Sequence, residues 1–241
     1  MDPCPVKQEF RMRLHIIRHG DPDYISDTLT PSGRHESECL RIWVARERPD
    51  RAYCSPLGRA HLTADIALAG SGLTVEVEPW IAELSDCLAD GIPLAWWNVH
   101  GHLIRNRNYL ASRQWSDLPH LATTRAESET ARVAVDSDAF LARHGMIREG
   151  GIYRVGNTPW INLAVFCHGG IGLCWLAHLL EIPAPLLWSG FFMHTSSVTS
   201  VLFDERSPGI AAPRVIHFGD ISHLSQSGVE PSLSGIIANH R

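Results

Sequence analysis

Strands and helices alternate at both ends of the chain, and that alternation limits the fold more than any other feature of the sequence. Met12–Arg18 (MRLHIIR) reads as a short strand ending in His19-Gly20. Residues 21–29 are polar and lack a period, which predicts a loop. Thr30-Pro31-Ser32 then opens a helix, with Thr30 as N-cap and Pro31 in the first turn. Its apolar face carries Leu40, Trp43 and Val44, and it stops near Arg48, before Pro49. Arg51–Cys54 is a second strand. Ser55-Pro56 repeats the cap-then-proline signal and predicts a helix to about residue 69. Residues 73–77 form a third strand. After a long irregular middle, with one helix over 128–142, Ile161–Cys167 is a fourth strand. Gly169-Gly170 leads into a helix over 171–180, and 197–203 and 214–218 are further strands. The Ser/Gly-rich tail after Gly219 is expected to be loosely ordered. The pattern predicts an α/β three-layer sandwich: a mostly parallel sheet of about six strands, flanked by helices. It forms one domain over 1–241, with residues 86–160 inserted as a cap over one end of the sheet.

Composition narrows the function. The chain has 241 residues, 44% apolar and 20% charged, enough to bury a core and too apolar to be disordered. Its net charge of −5 and the lack of a Lys/Arg run argue against nucleic acid as a partner. The first ten residues hold two prolines, Lys7 and Glu9 and no apolar run, so no signal peptide is expected there. The apolar stretches are too short to span a bilayer. Cys4, Cys39, Cys54, Cys87, Cys167 and Cys174 form no CxxC pair, which points to reduced thiols in the cytoplasm. Oligomeric state cannot be read from these residues.

Three strand ends share one kind of chemistry. The first strand gives Arg18-His19-Gly20. The second gives Ser55-Pro56-Leu57-Gly58-Arg59, with Arg59 in the first turn of a helix. The fourth gives Cys167-His168-Gly169-Gly170 at a helix start. In a parallel sheet these converge on one edge, where ligands bind. They bring two imidazoles, two guanidiniums and helix N-terminal N–H groups, a set suited to a phosphoryl group. Glycine after each histidine lets the backbone approach a ligand.

These motifs resemble the histidine phosphatase superfamily, the phosphoglycerate mutase-like enzymes. Leu14 to Gly20 followed by Leu29-Thr30-Pro31-Ser32-Gly33-Arg34 is similar to the family's opening signature. Cys54 to Ala64 is similar to its second block, and Val165 to Gly170 to its third. The resemblance implies a phosphomonoester hydrolase acting on a small phosphorylated substrate through a phosphohistidine on His19. Arg18, Arg59 and His168 would hold the phosphoryl oxygens, with Gly20, Gly169 and the Thr30 hydroxyl close by. Glu83, in Ile81-Ala82-Glu83-Leu84, would be the general acid; Asp86 and Asp90 are rival carboxylates. Such a site implies neither metal nor other cofactor. The family's mutases carry a longer segment where this chain has only residues 21–28, so the resemblance favours hydrolysis over isomerisation.

The middle segment adds an aromatic, basic stretch. Trp96, Trp97, His100, His102 and Tyr109 are interleaved with Arg105, Arg107 and Arg113, against Asp117 alone. Most of its tryptophans are expected to pack on the sheet. As a specificity lid, Trp97, His100 and His102 would contact substrate and Arg105 would hold a second anionic group. His100 and His102 could share a metal only on a strand, and no third ligand has a telling spacing.

Overall fold

The structure is a computed structural model that describes residues 12–85, 87–156 and 159–236. Cys4 and Asp86, named above, lie outside the described residues. In chain order the first half runs β1 (Met12–Arg18), β2 (Pro22–Asp23), β3 (Thr28–Leu29), α1 (Pro31–Glu47), β4 (Arg51–Cys54), α2 (Gly58–Leu68) and β5 (Val75–Val77). The middle gives α3 (Gly101–Ile104), α4 (Arg107–Ser112), α5 (Ala126–Arg143), β6 (Met146–Glu149) and β7 (Ile152–Val155). The chain then makes β8 (Ile161–Cys167), α6 (Gly169–Leu180), α7 (Ala184–Trp188), β9 (Val198–Ser207), β10 (Ile210–Asp220) and α8 (Ser222–Gln226).

One sheet has eight strands in the order β5-β4-β8-β1-β9-β10-β7-β6. The expected parallel arrangement holds for β5, β4, β8 and β1. From β1 outward every pairing is antiparallel, so the sheet is mixed and larger than the six mostly parallel strands expected. The physical reason lies in two tight turns. Gly209 (φ 78°) lets β9 fold back as β10, and Gly150 (φ 62°) does the same between β6 and β7. Glu149-Gly150-Gly151-Ile152 is a hairpin signal. It was hidden by its position in the irregular middle, part of which therefore belongs to the sheet.

Alternation along the central strands covers both faces of the sheet. Leu14 and Ile16 of β1, Tyr53 of β4 and Val165 of β8 join a large core with α5 and α6. Ile17, Ala52, Cys54, Ala164 and Phe166 face the other way, onto Leu40, Trp43 and Val44 of α1 and Ala64 of α2. Cys54, Cys167 and Cys174 are packed as apolar side chains, and burial raises their thiol pKa values. Helices thus flank a mixed sheet on both faces.

Two local expectations change. Thr30 caps α1 as expected, accepting from Gly33 N at 3.0 Å. Ser55 does not cap α2, whose N-cap is Leu57 and which begins at Gly58. The Ser55 hydroxyl instead accepts from Leu57 N (3.2 Å) and pairs with His168. The tail is also more ordered than expected. Helix α8 buries His223 and Leu224 against α1, and Ser232 donates to Asp21 Oδ1 (2.6 Å) through its hydroxyl and to Glu36 Oε1 (3.3 Å) through its N–H. Glu36 is fully buried; it also accepts from Thr195 Oγ1 and Asp21 N. Those contacts hold residues 232–236 over the end of β1.

Candidate active site

The carboxyl ends of β1, β4 and β8 bring Arg18, His19, Arg59 and His168 together in one buried cluster. The pairing of β8 with both neighbours fixes this, since Arg18 is level with Cys167 and Cys54 with Phe166. Arg18 (7% exposed) is the last residue of β1 and donates from Nη1 to Met193 O at 2.5 Å. His19 (2% exposed) is anchored by its own N–H to Cys167 O at 2.9 Å. Its Nδ1 lies 2.7 Å from Gly20 O, an atom that can only accept. Nδ1 therefore carries the proton in the neutral ring, and the lone pair lies on Nε2. Arg59 Nε donates a long hydrogen bond, 3.4 Å, to that Nε2. Burial first, then the Arg18 and Arg59 guanidiniums, holds the His19 pKa well below the ordinary imidazole value. The ring is neutral at physiological pH.

Arg59 is aimed by a residue that sequence reasoning missed. Asp27 Oδ1 accepts from Arg59 Nη1 at 2.5 Å, and Asp27 Oδ2 accepts from Gly58 N at 2.7 Å. Asp27 sits at φ 46°, and a Cβ at Gly58 would come within 2.3 Å of its carbonyl oxygen. A carboxylate in the short polar loop between the two motifs was the available signal.

His168 is fully buried at the N-cap of α6. Its Nε2 lies 2.7 Å from Ser55 Oγ, and its ring centre is 5.0 Å from that of His19. Nδ1 has no hydrogen-bond partner among the described residues. Burial, then His19 and the two arginines, depresses its pKa, so two imidazoles stay neutral side by side.

Glu83 follows the short turn Pro79–Ile81 and reaches the start of α6. It accepts from Gly170 N at 3.1 Å and Ile171 N at 2.8 Å. Burial raises its pKa, opposed by these N–H groups and by Arg59. Gly170 is obligatory here, because a Cβ would lie 2.5 Å from the Trp97 ring and 2.8 Å from Glu83 Oε1. The rival Asp90 is bonded to Thr123 Oγ1 (2.8 Å) and does not line the cavity.

These groups open into a cavity of about 770 Å³. Arg18, His19, Arg59, Glu83, Gly169, Trp97 and His100 line it, as expected. Five other candidates do not. His168 has no exposed surface and sits enclosed beside His19. Thr30 is spent on its cap and on donating to Asp21 Oδ2 at 2.7 Å. Gly20 donates its N–H to Thr63 Oγ1 and is packed against the Gly33 carbonyl, so its role is close backbone packing. His102 stacks its ring 5.8 Å from that of His100. Arg105 is exposed and donates from Nε to Ser189 Oγ at 3.2 Å. Sequence reasoning missed the opposite wall, Trp188 through His194, together with Tyr24 and Ile236.

Comparison with known proteins agrees with this geometry. Residues 14–97 match the model of the histidine phosphatase superfamily (branch 1). An adenosylcobalamin/alpha-ribazole phosphatase from Salmonella typhi is 24% identical over 190 residues, covering 73% of this chain and 84% of that protein. A phosphoserine phosphatase mutant from Entamoeba histolytica, solved with phosphoserine, shares the fold with a TM-score of 0.60 at 17% identity, over 88% of this chain and 99% of that one. A mycobacterial glucosyl-3-phosphoglycerate phosphatase does so with a TM-score of 0.59 at 23% identity, over 86% and 98%. The matched residues include Arg18, His19, Arg59 and Glu83, so the first part of the chain resembles the histidine phosphatase superfamily at the strand ends that form the site.

Proposed function

We propose that the chain is a phosphomonoester hydrolase that works through a phosphohistidine on His19 and needs no metal. The observation that carries this reading is the Nδ1–Gly20 contact, which leaves the lone pair of a neutral imidazole on Nε2, among two guanidiniums. In the first step that lone pair forms the N–P bond. The ester O–P bond breaks, and the leaving oxygen takes a proton from Glu83. In the second step the Glu83 carboxylate takes a proton from water, the water oxygen bonds to phosphorus and the N–P bond breaks. Inorganic phosphate leaves, and Glu83 is again protonated. Arg18 and Arg59 spread the charge on the transferring oxygens, with His168 beside them. The raised pKa of Glu83 suits a group that must first donate.

The substrate is a small phosphorylated metabolite, in keeping with the phosphatases that resemble the chain. The part of the expected cap that bears on it is residues 94–101, which line the cavity opposite residues 188–194. Among the described residues, no helix is long and apolar enough to cross a membrane. The test is release of inorganic phosphate from a panel of metabolite monoesters, with His19→Ala as blank. Activity surviving in the blank contradicts the mechanism, and isomerised product without free phosphate contradicts hydrolysis.

A further inference from the structure

We infer that the alcohol released from the phosphate is uncharged and carries a flat apolar or aromatic group; the inference rests on the hydrolase reading above. Charge is the first argument. Among the described residues, Arg18 and Arg59 are the only cations besides histidine that line the cavity, and Glu83 is its only carboxylate. Both guanidiniums converge on His19 and are committed to the phosphoryl group. Arg105, which does not line the cavity, is held by Ser189 and packed over Gly190, where its Nη2 would lie 2.4 Å from an added Cβ. A carboxylate beside the phosphate, as in a phosphorylated hydroxy or amino acid, would enter this chamber without a further arginine or lysine among the described residues to meet it, at the cost of desolvation.

Shape and surface are the second argument. The cavity is several times larger than a phosphoryl group needs, and its volume is that of a pocket for a ring-bearing ligand. Beyond the phosphoryl end, its walls are Trp97, Trp188, Phe191, Phe192 and Leu94. Phe191 and Tyr24 stay 45% and 63% exposed at the cavity, a cost that a stacked ring would offset. Phe192 is held at right angles to His194, ring centres 5.0 Å apart, and lies 5.6 Å from the Arg18 guanidinium carbon. The chamber also holds polar side chains. Asn98 and His100 line it, and so does His194, whose buried Nδ1 has no partner among the described residues. They suit one or two hydrogen-bonding atoms on an otherwise apolar group.

The experiment compares four alkyl monoesters of similar leaving-group basicity: 2-naphthylmethyl phosphate, benzyl phosphate, glycerol 3-phosphate and 3-phosphoglycerate. Phosphate release is measured with the wild type and with His19→Ala. The expected order of kcat/KM is the order just given, with at least roughly a 30-fold ratio between first and last, as burial of about 100 Å² of ring surface would give. Phe191→Ala, at an exposed position, should narrow that ratio by raising KM for the naphthylmethyl ester most. Equal values, or 3-phosphoglycerate as the best substrate, with release still dependent on His19, would overturn the inference and leave the hydrolase reading standing. Release from none of the four, or release that survives in His19→Ala, would overturn the hydrolase reading and the inference with it.

Discussion

The two ends of the cavity are built differently. At the end proposed to hold the phosphoryl group, Arg18, His19, Arg59 and His168 stand at strand ends or in the first turn of a helix, Glu83 follows a short turn, and each is held by a named bond. His19 is fixed by Cys167 O and Gly20 O, Arg59 by Asp27, Arg18 by Met193 O, His168 by Ser55 and Glu83 by the start of α6. At the outer end, the walls are residues 94–101 and 188–194, mostly turns and loop between short helices, which present the aromatic faces of Trp97, Phe191 and Phe192 to the cavity. The first arrangement fixes one geometry for one reaction. Under the proposed function, the second would set which alcohol can enter, and it could change without disturbing the chemistry.

Substitutions at the two ends should therefore act on different quantities. The largest effect is expected for His19→Ala, which should lower kcat/KM about 10⁴-fold or more for every ester, read by phosphate release. Glu83→Gln comes next. It should slow an alkyl ester such as benzyl phosphate by roughly 10²–10⁴-fold and p-nitrophenyl phosphate far less, because only the alkoxide needs the proton. Equal loss on both would remove Glu83 as the acid.

The pH profile follows from the same residue. Burial raises the Glu83 pKa and lowers that of His19, and both shifts widen the pH range in which Glu83 is protonated while His19 is neutral. The kcat/KM for alkyl esters should fall as pH rises through the Glu83 value, and that limb should vanish in Glu83→Gln. Asp27→Asn should cost about 10- to 100-fold in kcat/KM through loss of aim in Arg59, across all esters alike. A loss confined to one ester would move Asp27 to the outer end.

The smallest effect belongs to a residue that sits at neither end. Thr30→Ala should leave kcat and KM unchanged and lower stability by about 1 kcal/mol, the value of an N-cap, measured by urea unfolding. A rise in KM for phosphate esters would return its hydroxyl to the site.

The same contrast explains what could be read from the chain. The phosphoryl end was legible because its residues are local signals: a histidine after an apolar strand, a glycine where the backbone comes close, an arginine one turn into a helix. Short β-strands and their helices fix where such residues point. The outer wall was not legible, because Trp97 and residues 188–194 are about 90 positions apart and meet only where α7 packs on the turn Trp96–Asn98. Nothing local to Trp188-Ser189-Gly190-Phe191 marks it as a wall. Arg105 shows the same gap from the other side. Its composition suggested an anion ligand, while its position on Ser189 is set by a loop the sequence alone does not locate. β6 and β7 were missed because each is only four residues long, too short to show a period, and the antiparallel run of β9 and β10 because their reversal rests on the turn at Gly209.

The central claim is that phosphate passes through Nε2 of His19. An alkaline denaturing quench during steady turnover, followed by peptide mass spectrometry and ³¹P NMR, tests it most directly. The prediction is a phosphoryl group on His19, linked at Nε2, that is absent from His19→Ala. Turnover with no phosphorylated His19, or with the phosphoryl group on Nδ1 or on another residue, would contradict it.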